Sequence, residues 1–527
     1  MQRRWLFGLA LLLAALIIFA FSPVAHFHFL DWDDWLLLSE NRDFLPVAWG
    51  RIGQYWGHAD FELYAPLSYT LWAVIAWAEQ WWSGNVALTP AAFHLANLGL
   101  HLLTSVFVLL LLHRLTKQAF AAFTGAMIFA LHPLQVEPIA WVASFNTVLC
   151  GMFSAMALWA YVRQAQAEGT RKTRWFVFSC VALLAALFSK AIATPLPAIA
   201  LLIEWLILER PSRQWIKTIL IWCALVIPFL VIGRLSQSPY HATQIAFYLR
   251  PLVVTDSFAF YLCKLVLPLH LSIDYQRTPI YLLQTGQIKW TWMIAVAIAL
   301  LALSFYRSRI GKWLLAGLAI LFVATLPTSG IVGFTFQRYS TVADRYMYLG
   351  MIGIALGIAG IIRSVSPKIL FGGVMVIAAL FVTLDRIRLA DWRDTLTLTA
   401  QAVNPDNHCA LLHRIRAFAL ERSDQTDEAI EQYQLAIRYD DRDSNSYYDL
   451  ANMLLQRGEA EQSAELYHRA IALEPERSQF HHNLAVALMR EGKVAPAGQE
   501  FREAMELDPL SAQARIDYEK WVRLTQK

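Results

Sequence analysis

The chain has 527 residues, 57% of them hydrophobic and only 16% charged, whereas a soluble chain carries about 25% charge. Residues 1–385 hold 26 Lys+Arg and 16 Asp+Glu, net +10, while residues 386–527 hold 18 and 24, net −6. A membrane domain is therefore followed by a water-soluble one, which excludes a soluble enzyme, a secreted disulfide scaffold and a disordered chain, and gives no reason to expect nucleic acid as a partner.

A hydrocarbon core about 30 Å thick needs roughly 20 mostly apolar residues per helix. Eleven such runs fall near 5–25, 92–113, 118–132, 139–162, 175–189, 191–208, 215–233, 290–306, 313–327, 346–362 and 369–385. The first is too long and too uniformly apolar for a cleaved leader and is read as a retained span. The stretch 245–272 carries Arg250, Asp256 and Lys264 and is read as a helix in or under the outer interface. Loops after even-numbered spans are basic, and together with Arg3 and Arg4 they hold 16 of the 26 basic residues. That side is cytoplasmic by the positive-inside rule. The N-terminus is then inside, and eleven crossings carry the C-terminal part outside.

The loop 26–91 follows the first span on the outer side. It holds eight of the membrane domain's sixteen carboxylates, Asp33 and Asp34 among them, with Asp60 and Glu62 further on, set between Trp32, Trp35, Tyr55 and Tyr64. Carboxylates among aromatics at a membrane face suit a general base, since partial desolvation and a like-charged neighbour raise the pKa; a solvated acidic loop is the alternative. The second outer loop, His132-Pro133-Leu134-Gln135-Val136-Glu137-Pro138, positions an acceptor, binds a metal or caps two helices. His94, Asn97 and His101 share one face of the second span and face a cavity or bond neighbouring helices. Among outer basic residues, Lys190 and Arg345 are the best candidates to meet a lipid phosphate, with snorkelling as the alternative for each. Glu204 is the clearest intramembrane charge. The five cysteines are unpaired at close spacing, so neither a disulfide framework nor a zinc site is implied, and no metal is expected.

After a linker over 386–409, residues 410–527 repeat. Tyr433, Tyr467 and Phe501 are spaced by 34, as are Ala436, Ala470 and Ala504, Gly458 and Gly492, and Pro475 and Pro509. This is the tetratricopeptide pattern, about three copies, with Arg416 and Asp424 replacing the usual Leu and Gly in the first. Such an α-solenoid binds a peptide or protein partner, or serves as a cap or spacer.

In order along the chain, WDDWLLLSENRDF, YAPL, FHLANLGLHLL, FALHPLQVEPIAWVAS, FSKAIATPLP, LPLHLSIDY, LPTSG and ADRYMYL, followed by the repeats, make a recognisable series. The chain resembles the transmembrane and tetratricopeptide-repeat-containing protein O-mannosyltransferases and their bacterial relatives, in the GT-C glycosyltransferase superfamily. The resemblance implies an all-α polytopic fold, residues 1–385 forming a GT-C-like domain. It also implies an inverting enzyme that moves a sugar from a polyprenyl-phosphate donor to a hydroxyl of a protein or envelope glycan, on the outer face of a bacterial inner membrane, with no other cofactor. Asp33 or Asp34 would be the base, Asp33 slightly favoured; Lys190 and Arg345 would bind the donor phosphate; His94, His132 and Glu137 would line the acceptor cavity. Where the family carries Gly-Arg-x-Asp after its HP…E segment, this chain reads Ser144-Phe145-Asn146, and the family's Ser-Lys-Glu is Ser189-Lys190-Ala191. A non-enzymatic scaffold that anchors the repeats for envelope assembly is the alternative, and a transporter of lipid-linked sugar a weaker third.

Overall fold

The apolar runs fold as helices that satisfy their own backbone, as a membrane demands. The computed structural model describes residues 2–59, 63–236, 245–400, 408–509 and 512–525, so Asp60, Glu62 and the linker residues 401–407 lie outside the described residues. Among the described residues every named element is a helix, and the chain divides into two units, Met1–Asp394 and Thr395–Lys527. Among the described residues, ten helices of the first unit are long and apolar enough to cross a membrane, and one bent pair makes an eleventh crossing if counted as one span. The expected all-α polytopic architecture is what the chain adopts.

The bent pair, Ala119–Leu131 and Pro133–Ala140, turns by 54°, for a local reason. Pro133 has no N–H to give and disfavours helical backbone at the residue before it, and His132 is indeed extended, with ψ 134°. The break orphans the carbonyls of the preceding turn, and side chains take them over. Gln135 Nε2 donates to Phe129 O at 2.9 Å, and His101 Nε2 meets Ala130 O at 3.0 Å. Because that His101 nitrogen must donate to a carbonyl, Nδ1 accepts from the Tyr348 hydroxyl, 2.9 Å away.

The loop 26–91 contains a helix that its apolar pattern does not predict, Pro66–Ser83, started by Pro66 and ended at Gly84 with φ +67°. It is not among the candidate spans. One face buries Tyr69, Trp72, Ala73 and Ala76, while Trp77, Trp81 and Trp82 are exposed, as suits a helix at a membrane–water boundary. The stretch expected at the interface forms Arg250–Val266, also outside the candidate spans. Its buried Asp256 takes both bonds from Arg277 Nη2, at 2.7 and 2.9 Å.

Helices Arg309–Thr325 and Met347–Ile362 pack through glycine. A Cβ on Gly353 would lie 2.5 Å from Gly317 O, and one on Gly360 2.2 Å from the Trp313 ring, the close approach that small residues permit between membrane helices. Overpacking costs about 1–3 kcal/mol even where side chains can yield, and here backbone stands opposite. Gly353→Val is therefore expected to reduce the yield of monodisperse protein several-fold, read by size-exclusion chromatography; wild-type yield would contradict this packing.

The second unit stacks three helix pairs, Ala410–Arg422 with Thr426–Tyr439, Ser444–Arg457 with Ala460–Leu473, and Ser478–Arg490 with Val494–Leu507, before a final helix Ala512–Thr525. The repeated aromatics and alanines are buried in each pair. Gly458 and Gly492 turn with φ +92° and +79°, and Asp424 adopts the same left-handed conformation at φ +58° in the first pair, a conformation that Asp tolerates better than most residues.

Candidate active site

Asp33 and Asp34 are neighbours with different surroundings. Asp34 is fully buried: Oδ2 accepts from Leu30 N at 3.1 Å and Oδ1 from Ala143 N at 2.7 Å. It staples the loop 26–91 to the turn before helix Phe145–Ala165. Burial pushes its carboxyl up to about 7, and the adjacent Asp33 adds to the shift while the two backbone bonds oppose it. Asp33 is half-buried, and its charge acts on both the Lys190 ammonium and the Arg345 guanidinium.

Those two cations come from distant elements. Arg345 follows the buried Asp344 just before helix Met347–Ile362, and its Nη1 is paired with Glu137 Oε1 from the segment 132–138. Its guanidinium lies over the rings of Trp141, Phe336 and Tyr346, at 5.1, 4.4 and 5.0 Å, planar contacts that Arg makes and Lys does not. Trp141 in turn stacks on Trp32 at 5.0 Å. Among the described residues Glu137 Oε2 has no hydrogen-bond partner although it is buried. Lys190 stands where helix Gly169–Ser189 ends, in extended backbone at φ −168°. Nζ donates to Asn146 Oδ1 at 2.9 Å and to Thr147 Oγ1 at 2.8 Å. Burial, with Arg345 as a like charge, lowers its ammonium to about 8, while Glu137 and Asp33 pull the other way. Next to it, Ala191 joins Leu63, Tyr64, Phe229 and Ile232 around a small apolar cleft.

The structure thus brings Asp33, Glu137, Lys190 and Arg345 into electrostatic reach of one another. The two histidines are employed differently. His132 Nδ1 accepts from Leu134 N at 3.3 Å and Nε2 reaches Leu265 O at 3.1 Å, so both ring nitrogens clasp backbone. His94 Nε2 reaches His28 O at 3.3 Å, and Asn97 Nδ2 donates to Trp141 O at 2.8 Å. The polar face of the second span therefore holds backbone at His28 and Trp141. Glu204 accepts from Tyr161 and is paired with Arg210, a neutralised buried carboxylate. No group of three His, Cys, Asp or Glu able to hold a metal occurs among the described residues. Asn146 and Thr147 were not legible as site residues. The available signal was their place in the first turn of a span that starts on the same side as Lys190.

Residues 89–235 match the family described as Dolichyl-phosphate-mannose-protein mannosyltransferase, a segment holding His94, His132, Glu137 and Lys190 but not Asp33, Asp34 or Arg345. Protein O-mannosyl-transferase TMTC1 of Homo sapiens is 28% identical over 166 residues, which are 30% of this chain and 18% of that relative. The chain thus spans under a fifth of that relative's length. Among solved structures, ArnT from Cupriavidus metallidurans bound to undecaprenyl phosphate is 12% identical, with 90% of this chain and 80% of that chain covered at a TM-score of 0.38. The first TPR of Spaghetti (RPAP3), bound to an HSP90 peptide, is 17% identical over 24% of this chain and 99% of its own, at a TM-score of 0.23. The family resemblance read from the sequence is upheld over the matched segment.

Proposed function

We propose that the chain is a GT-C-type membrane glycosyltransferase that moves a sugar from a polyprenyl-phosphate donor to a hydroxyl acceptor at the extracytoplasmic face of a bacterial inner membrane. The observation that carries this reading is the convergence of two half-buried groups, the carboxylate of Asp33 and the ammonium of Lys190, with the buried guanidinium of Arg345, drawn from elements over 150 residues apart in sequence. A transfer that inverts configuration needs this set. Asp33 takes the proton as the acceptor oxygen attacks the anomeric carbon. The bond from that carbon to the phosphate oxygen breaks on the opposite side, and the departing phosphate keeps the electron pair. Lys190 and Arg345 carry the charge that develops there, preorganised where the dielectric is low. Glu137 keeps Arg345 in place. The apolar cleft beside Ala191 suits the first isoprene units of the donor. Mannose as the sugar is supported by the family match and by the name of the human relative. The helical repeats suit a polypeptide partner.

The test is reconstitution of the full chain in liposomes with polyprenyl-phosphate-[³H]mannose and a hydroxyl-rich peptide. Label is expected to move to the peptide with inverted configuration. If no sugar moves, and function in cells is lost on deleting residues 395–527 but not on Asp33→Asn, the chain is a scaffold for its repeats.

A further inference from the structure

The two cations of the site are held in physically different ways. Arg345 is paired with a carboxylate, Glu137, which offsets part of its charge. Lys190 is held by two neutral acceptors, Asn146 Oδ1 and Thr147 Oγ1. These are tied to each other as well: the Thr147 hydroxyl donates to Asn146 Oδ1 at 3.1 Å, which directs its proton away from the ammonium and its lone pairs toward it. The result is a closed triangle. Two of the three ammonium protons are fixed in direction, and among the described residues the third has no acceptor. Both acceptors sit in the first turn of helix Phe145–Ala165 and are buried, while Lys190 is half-buried, so the arrangement is built into the fold rather than chosen by a flexible side chain in water. A carboxylate at either position would hold the ammonium more tightly but cancel the charge that a phosphate needs, because a paired charge in a low-dielectric site attracts a second anion weakly.

We infer that Asn146 and Thr147 are positioning residues, which aim the Lys190 ammonium with neutral acceptors so that its charge stays available to the donor phosphate. This rests on the proposed donor site and deepens it. The groups that face Lys190 from neighbouring elements are Arg345, Cys150, Glu137 and Asp33. Against that background the neutral pair has a signature in pH. Hydrogen bonds to the charged form favour it, so removing one lowers the pH at which Lys190 loses its proton, and adding a carboxylate raises it.

The experiment measures binding of polyprenyl-phosphate-mannose to the full chain in nanodiscs from about pH 6 to 10, a range in which the phosphodiester stays singly charged. Wild-type binding is expected to hold at low pH and to fall above about 8, where the ammonium is lost. Asn146→Asp and Thr147→Asp are expected to weaken binding about tenfold at pH 7 while moving the fall to higher pH. Thr147→Val is expected to weaken it severalfold and move the fall to lower pH, and Thr147→Ser to restore both. A donor KM that rises goes with this, together with a fall in kcat, because Lys190 also meets the charge of the departing phosphate. If Lys190→Ala abolishes binding but the Asp and Val variants leave affinity and midpoint at wild-type values, the positioning role is overturned and the donor site stands. If Lys190→Ala binds like wild type, the donor site itself is wrong. Should the Asp variants fail to fold, Thr147→Val and Thr147→Ser carry the same two readouts.

Discussion

Asp33→Asn is expected to cut sugar transfer by roughly 10²–10⁴-fold, the range for losing a general base, with folded yield, melting temperature and donor binding near wild type. Asp34→Asn is expected to act on stability instead. Both oxygens of Asp34 accept from buried backbone N–H groups, Leu30 and Ala143. An amide can accept with only one of its two heavy atoms, so one of those donors is left facing an NH₂ group, at about 1–3 kcal/mol. The pH dependence separates the roles further. Burial raises the Asp34 carboxyl from 3.8 to about 7, so between these values the folded protein holds a proton that the unfolded chain has lost. The contribution of Asp34 to stability is therefore fully present below about 3.8, declines as pH rises through that window, and is lost above about 7. In Asp34→Asn this part of the slope disappears, because there is nothing left to titrate. Melting followed by intrinsic fluorescence at several pH values, beside the transfer assay, reads both effects. Turnover lost in Asp34→Asn with an unchanged melting profile, together with normal turnover in Asp33→Asn, would exchange the two assignments.

That exchange shows where sequence reasoning stops. Two adjacent carboxylates are equivalent on paper; a single fold-dependent fact, that the N–H of Ala143 arrives beside Asp34, makes one a staple and leaves the other beside the cations. The spans were legible because a membrane imposes length and apolarity on each one independently of its neighbours. Helix Pro66–Ser83 was not, since Ser68, Thr70, Glu79 and Gln80 interrupt its apolar pattern and it answers to an interface rather than to the hydrocarbon. Glu137, Lys190 and Arg345 could be picked out because charge is costly and therefore rare near a membrane. Asn146 and Thr147 are neutral, ordinary at a helix start, and acquire meaning only when Lys190 is brought over them. His94 and His132 illustrate the reverse. They read as cavity-lining, but the chain's passage over the second span and the end of helix Arg250–Val266 leave carbonyls, those of His28 and Leu265, that need donors, and the histidines meet that need. Which carbonyls a fold orphans is not written in local sequence.

Arg345→Ala is expected to be the most damaging single substitution at the site, because it fails on two counts that a second change can separate. Removing one member of a buried ion pair leaves the other charged and unpaired, at about 3–5 kcal/mol, and among the described residues Glu137 already has one oxygen without a partner. Little folded protein is expected. Replacing both members by apolar residues of similar size is often neutral or stabilising, and Trp141, Phe336 and Tyr346 already provide an aromatic lining for such a side chain. Arg345→Met combined with Glu137→Leu is accordingly expected to recover the folded yield and melting temperature, while transfer stays reduced by about 10²–10³-fold for want of the charge that meets the leaving phosphate. Arg345→Lys keeps the charge but loses the planar contact with three rings, and is expected to fall between. Yield from size-exclusion chromatography and initial rates in the liposome assay measure the two contributions independently. A double variant that folds and transfers at the wild-type rate would confine the Glu137–Arg345 pair to holding the segment 132–138 against helix Met347–Ile362, and would leave Lys190 as the cation on which phosphate departure depends.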